Sequence, residues 1–199
     1  MNRKAEARER ILRAAVDTLA AQGFAAATAR AIAGTGGFAP GVIYYHFEDL
    51  EDVFLAAMKY TSDRRMLRYV ELTAAAADPA AMVLALRELY EEDVATGHIA
   101  AVQQLVVGGA SSTRLAEGVR AEIDRWEAYG ESLLLRLIAG TPFEGLVPAR
   151  AVASAVMAFY LGLEMMTHID GDRARVESVF AAVEPLAAML GQLPGVIGH

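Results

Sequence analysis

Between Thr28 and Phe47 the chain reads TARAIAGTGGFAPGVIYYHF, two short helical patterns on either side of a glycine turn, ending in an aromatic cluster. Thr28 stands just before Ala29, Arg30, Ala31, Ile32 and Ala33, where its hydroxyl can accept from a free backbone N–H at a helix start. Gly34, Gly36 and Gly37 then supply the freedom to enter positive φ, and three glycines in four residues predict a break in the helix. Phe38 follows as an apolar plug. Pro40 suits a first helical turn, because its missing N–H would be unsatisfied there anyway. A second helix is predicted through about Tyr45. Ile43 and Phe47, four apart, share a face that can meet Phe38, which leaves Pro40, Gly41, Tyr45 and His46 turned outward. On these residues alone two readings stay open: a pair of short helices in an ordinary α-helical core, or a helix-turn-helix that offers its second helix to a partner.

Upstream, from about residue 5 to 22, Ile11, Leu12, Ala15, Val16 and Leu19 recur at helical spacing, with Arg8, Arg10 and Arg13 off that stripe. Gly23 ends the helix and Phe24 packs back on it. Arg10, Ile11, Leu12, Ala14, Ala15, Leu19, Gly23, Phe24, Ala27, Thr28, Arg30, Ile32, Ala33, Gly37, Gly41, Tyr44, His46 and Phe47 stand in an order and spacing that resembles the N-terminal domain of the TetR family of bacterial transcriptional repressors. The likeness covers some forty of the 199 residues. It implies a three-helix DNA-binding head over residues 1–48, with the second helix of its helix-turn-helix in the major groove. Residues 49–199 would form a helical body for dimerisation and ligand binding. Carried over by position, Thr28, Arg30, Tyr44 and His46 would contact phosphates, while Pro40, Gly41, Val42 and Tyr45 would face bases. Arg3 and Lys4, expected in a mobile N-terminal arm, would add phosphate or minor-groove contacts.

Three residues depart from the family pattern. Ala39 stands where a serine or threonine cap is usual, Pro40 where a polar residue is common, and Leu50 where a lysine typically reaches phosphate. Glu48, Asp49, Glu51 and Asp52 surround Leu50, and carboxylates near DNA repel phosphate over the roughly 10 Å screening length of about 0.1 M salt. The base-facing set has no Arg, Lys, Asn or Gln, so direct readout would rest on thymine methyls and groove shape.

Charge is divided unevenly along the chain. Residues 1–47 hold six basic side chains (Arg3, Lys4, Arg8, Arg10, Arg13, Arg30) against three acidic ones (Glu6, Glu9, Asp17), a net of +3. The overall charge is −7, so the other 152 residues carry −10. A phosphate-facing head on an acidic body would show this asymmetry, and so would a solvated helix of mixed charge. Hydrophobic residues make up 55% of the chain and charged residues 22%, which argues against disorder. No run reaches the roughly 18 uninterrupted apolar residues of a membrane span, and a cytoplasmic protein is expected. With no cysteine there is no disulfide or thiolate site.

The rest of the chain reads as helices. Asp49 can cap a long helix with Leu50, Phe54, Met58 and Thr61 on one face and Val53, Ala57, Tyr60 and Leu67 on another. Asp78-Pro79 ends it, and further helices are predicted at about 80–95, 99–107, 113–138, 149–169 and 173–190, the last with a kink at Pro185. The total is about nine helices and no strand, an all-α fold. The segment 149–169 is nearly apolar all round and must be covered on every side. With 173–190 it would complete a four-helix interface between two copies, which the family resemblance also implies.

Catalysis finds no support. The histidines His46, His98, His168 and His199 show no i, i+4 pairing with one another, and Glu164, His168 and Asp170 read better as a polar helix end than as a metal site. Ser111 and Ser112 lie outside any nucleophile motif, and no cofactor is implied. Trp126, Tyr129, Tyr90, Tyr69, Met157 and Met165 offer aromatic and thioether surface for a small lipophilic effector, Trp126 and Tyr129 foremost. The resulting expectation is a ligand-responsive homodimeric regulator, a repressor released from a palindromic operator by that effector. The competing class is a ligand-binding or interaction module whose head has lost its operator.

Overall fold

A computed structural model describes residues 3–192, apart from the side chain of His168. His199 and the His168 side chain therefore lie outside the described residues. Those residues form nine α-helices and no strand: α1 Arg3–Gln22, α2 Ala29–Gly36, α3 Gly41–His46, α4 Leu50–Ala75, α5 Pro79–Ala95, α6 His98–Gly109, α7 Thr113–Ile138, α8 Ala149–Asp170 and α9 Ala174–Leu190. A single 3-10 turn, Phe24–Ala26, joins α1 to α2. The all-α expectation holds.

Short polar residues set the helix starts. The Asp49 carboxylate accepts from Asp52 N at 2.8 Å, Asp78 from Ala81 N at 2.8 Å, and the Ser112 hydroxyl from Leu115 N at 3.3 Å. Each satisfies a backbone donor that has no partner within its helix. Two expectations are corrected. The glycine break is tighter than its composition implied: Gly34 and Gly36 lie inside α2, and Gly37 alone turns left-handed, at φ 65°. Leu67, placed with Val53 and Ala57 on one apolar face of α4, is exposed where those two are buried. Pro185 lies within α9, which runs continuously from Ala174 to Leu190.

The chain divides into two compact units. One gathers residues up to Arg65 with Asp93–Glu122, and the other gathers Met66–Glu92 with residues from Ile123 onward. Helices α4, α5 and α7 contribute residues to both.

In the first unit α1 packs against α2 and α6. Ile11, Leu19, Ile32, Ile43, Val53, Leu105 and Leu115 are fully buried. The Phe24 ring lies so close to Gly108 that a Cβ there would come within 2.3 Å of it, and Phe24 N donates to Gln104 Oε1 at 2.9 Å. Several buried polar groups are paired. Thr18 donates to Ala14 O at 2.6 Å and meets Thr35 Oγ1 at 2.9 Å. Ser62 donates to Glu122 at 2.7 Å, and Arg65 forms an ion pair with Asp93. His98 is buried, with Nδ1 2.7 Å from the Thr61 hydroxyl.

In the second unit Leu89 and Val176 are fully buried, and α8 packs against α9. The inner face of α8 follows Ala149, Ala153, Met157, Tyr160 and Glu164. Its outer face is open in the single chain: Phe159, Met165, Met166 and Ile169 are exposed, as are Val183, Leu186 and Met189 of α9. By length and composition Ala149–Thr167 is also long and apolar enough to cross a membrane.

Burial and the neighbouring Arg65 push the His98 pKa well below its usual value. The folded state thus keeps the ring neutral where the unfolded chain protonates it, so the unfolded state binds the extra proton and stability falls as pH drops below about 6.5. Urea titrations from pH 7.5 to 5 should show a loss approaching about 1.4 kcal/mol per pH unit from this group. A His98→Gln variant should lose that pH dependence, and an unchanged slope would contradict the assignment.

Candidate nucleic-acid interface

The first three helices build one face from the inside out. Thr28 caps α2 as expected, its hydroxyl accepting from Ala31 N at 3.2 Å. The turn that follows is held from α1: Arg10 donates through Nε to Gly36 O at 2.8 Å and through Nη2 to Gly37 O at 2.5 Å. Its guanidinium also lies 5.3 Å from the centre of the Phe38 ring. Gly36 cannot be replaced without a shift, because a Cβ there would come within 2.1 Å of the Phe38 ring and 2.9 Å of Ala14. Arg10 therefore organises the turn. The sequence showed it as an off-stripe arginine and as part of the family pattern but not as the anchor of the turn, since its acceptors lie more than twenty residues away.

Pro40 takes helical angles ahead of α3, and no side chain caps that helix. Ile43 is fully buried and Phe47 nearly so, with the Arg8 guanidinium 5.0 Å from the Phe47 ring. The opposite face is open. Tyr44 and Tyr45 are 57% and 73% exposed, Pro40 and Gly41 are exposed, and Val42 and His46 are half-buried. A Cβ on Gly41 would meet nothing within 4 Å, so the chain's own packing does not demand glycine there. The Tyr45 and His46 rings meet edge to face at 5.0 Å.

Thr28, Arg30, Arg3 and Lys4 are also exposed. The last two correct an expectation: they form the first turn of α1 and not a mobile arm, and Lys4 Nζ lies 5.8 Å from the Tyr45 ring centre. Starting α1 at Arg3 brings Lys4 to the face that α3 presents.

The acidic cluster at the start of α4 is partly answered from α7, which sequence spacing could not reveal. Arg114 donates to Asp49 at 2.8 Å and lies 3.6 Å from Asp52. Backbone N–H donation from Asp52, together with Arg114, holds the Asp49 carboxyl below its usual pKa. Asp52 also accepts from Glu48 N at 3.3 Å. Two of the four carboxylates are thus engaged in shaping the helix start.

The residues expected to bind a ligand fall into separate groups. Tyr69, Trp126 and Tyr129 form a cluster with centroids 5.0 to 6.4 Å apart, all near edge to face. Tyr90 is buried elsewhere, against Tyr160 and Phe180. Met157 is half-buried, whereas Met165 is exposed on the outer face of α8 and is not brought to either group. No cluster of three metal-ligating side chains occurs among the described residues.

The sequence profile of bacterial regulatory proteins of the tetR family matches residues 11–57, the span from mid-α1 into α4. An HTH-type transcriptional regulator of Mycobacterium tuberculosis, itself uncharacterised, is 31% identical over 129 residues, covering 63% of this chain and 65% of the relative. The chain thus spans about 65% of the length of the curated relatives it matches. Among solved structures, the fatty acid degradation regulator FadR of Bacillus halodurans superimposes with a TM-score of 0.78 at 19% identity, covering 98% of each chain. FadR of Bacillus subtilis, in complex with stearoyl-CoA, gives 0.74 at 18% identity, covering 92% of this chain and 97% of that one. At such identities these likenesses speak for the fold. The likeness to the tetR family of bacterial regulatory proteins thus rests on residues 11–57, and the solved structures agree with it in fold.

Proposed function

We propose that this chain is a one-component transcriptional repressor that binds a palindromic operator as a homodimer and is released by a small lipophilic effector. The observation that carries the reading is α3: a helix pinned from below by Ile43 and Phe47 whose free face consists of Pro40, Gly41, Val42, Tyr44 and Tyr45. Such a helix can enter the major groove while Thr28, Arg30, Tyr44 and His46 grip phosphate and Arg3 and Lys4 add charge. An open Gly41 lets the α3 backbone approach DNA closely. Residues 1–48 would act as the head and 49–199 as the body.

Dimerisation is supported by the outer stripe of α8, where Ala151, Ala155, Ala158, Phe159, Gly162, Met166 and Ile169 recur at helical spacing, beside Val183, Leu186 and Met189 of α9. A second copy would cover this apolar face and close a four-helix interface, which answers why α8 is apolar all round. A two-fold dimer would place two α3 helices on half-sites about one helical turn, or a multiple of it, apart. An effector that prefers the non-binding state must release DNA to the extent of that preference. The stearoyl-CoA held by the B. subtilis neighbour, with its long acyl chain, fits a lipophilic class.

The second reading, a helical module without an operator, is favoured by Leu50 amid four carboxylates. Arg114 counts against it by neutralising Asp49 and Asp52.

Selection from a random duplex library at two salt concentrations separates these readings. A palindrome whose retention weakens with salt, at a slope of roughly −0.9 per neutralised phosphate, is expected. A folded protein that enriches no sequence would favour the module. Arg114→Ala should weaken duplex affinity by about 2- to 10-fold at 0.1 M salt and by less at higher salt, because it bares carboxylates without removing a DNA contact. Phe159→Glu should raise the dimer dissociation constant by at least about 100-fold, read by light scattering, since it buries a charge twice across a two-fold axis.

A further inference from the structure

In the second unit two buried polar atoms have no hydrogen-bond partner among the described residues: the Tyr90 hydroxyl and Glu164 Oε1. Tyr90 is only 3% exposed. A buried donor or acceptor left unpaired forfeits the water it bound in the unfolded chain, so such groups are uncommon unless something else satisfies them.

The residues that carry these atoms have neighbours in common. The Tyr90 ring meets Tyr160 edge to face at 6.0 Å and Phe180 at 5.8 Å. Tyr160 and Glu164 are four residues apart on the inner face of α8, with Met157 one turn earlier. The Arg173 guanidinium lies 5.5 Å from the Tyr90 ring centre and acts electrostatically on Glu164. Arg87 lies 5.8 Å from the Phe180 ring centre and is answered by Glu184 at 3.2 Å and Glu91 at 3.6 Å.

The other aromatic cluster differs in this respect. There the Tyr129 hydroxyl is 2.6 Å from that of Thr73, which donates onward to Tyr69 O, and Arg136 donates to Thr73 O at 3.2 Å. Tyr69 and Trp126 have further partners. Those polar tips are already engaged within the fold, whereas the Tyr90 hydroxyl and Glu164 Oε1 have no hydrogen-bond partner there.

Charge narrows the guest. An anion would face the Glu164 carboxylate and a cation would face Arg173 and Arg87. A neutral group that donates and accepts at one atom meets both orphans, and a hydroxyl does this. We propose that Tyr90 and Glu164 are the polar anchor of a site for a neutral lipophilic alcohol or phenol. Its hydroxyl donates to Glu164 Oε1 and accepts from Tyr90, while its apolar body lies against Tyr160, Phe180 and Met157. The proposal rests on the effector reading above and gives that effector its chemical class. Burial raises the Glu164 pKa while Arg173 opposes the shift. A protonated Glu164 would donate to the same hydroxyl, so the contact survives either state.

The test is calorimetry on the full chain with 1-naphthol, 4-butylphenol and 1-decanol, each against its methyl ether, followed by operator binding with the same compounds. At least one hydroxyl compound should bind about 10- to 100-fold more tightly than its ether, the size of one unmade buried hydrogen bond. Tyr90→Phe and Glu164→Gln should each lose about tenfold or more of that affinity while their melting temperatures stay level or rise, since each removes or replaces an orphaned group. A fall in melting temperature for both variants, with affinity unchanged, would make the pair structural and overturn the proposal. So would ethers that bind as well as the hydroxyl compounds, or no binding at all, as when buried water fills the site. If ethers and hydroxyl compounds release DNA equally, the anchor fails and the effector reading stands. If the hydroxyl compounds bind with full discrimination and leave DNA affinity unchanged, the anchor stands and the effector reading fails.

Discussion

A helix of six residues is too short to hold itself in water, where even alanine-rich helices under about 12 residues are marginal. Helix α3 exists because Ile43 and Phe47 are buried, and its orientation follows from the same burial. Once those two side chains face inward, Tyr44 and Tyr45 must face outward, so one packing choice sets both the fold of the first unit and the surface it presents. Arg10 secures the turn before it by taking the carbonyls of Gly36 and Gly37, which a helix end otherwise leaves without partners. Arg8 does similar work beyond it, with its guanidinium against the Phe47 ring. Basic side chains of α1 thus serve the scaffold of the interface as well as its field.

That double use bears on electrostatics. The net charge of −7 would repel DNA if it were spread evenly, but the first 47 residues carry +3. The carboxylates that follow are drawn into helix capping and into pairs with Arg114. Surface pairs of this kind contribute little to stability, and their consequence here is to local potential near the start of α4.

Much of the fold was legible. Caps at Thr28 and Asp49, the break at Asp78-Pro79, and apolar stripes at helical period located every long helix to within a few residues, because these signals are local. Burial of Ile43 and Phe47 followed from their four-residue spacing. What escaped was non-local. Arg10 and its carbonyls, or Arg114 and Asp49, lie tens of residues apart, and no periodicity links them. The glycine count overstated the break, because a helix tolerates Gly34 and Gly36 at a modest propensity cost and needs only Gly37 to end it. Arg3 and Lys4 read as an arm because charge pattern alone does not separate a solvated helix turn from an extended tail. Aromatic composition pointed to Trp126 and Tyr129 as ligand residues, but it carries no information on which hydroxyls the fold satisfies internally. That distinction, which sets Tyr90 and Glu164 apart, needs coordinates.

The central claim is that the outward face of α3 meets DNA. Amide hydrogen exchange of the full chain, with and without a selected duplex, tests it residue by residue. Slowed exchange on DNA addition confined to the start of α1 and residues 28–46, with the outer faces of α8 and α9 unchanged, is the predicted result. Protection that spares α3 while appearing on the body would contradict the account.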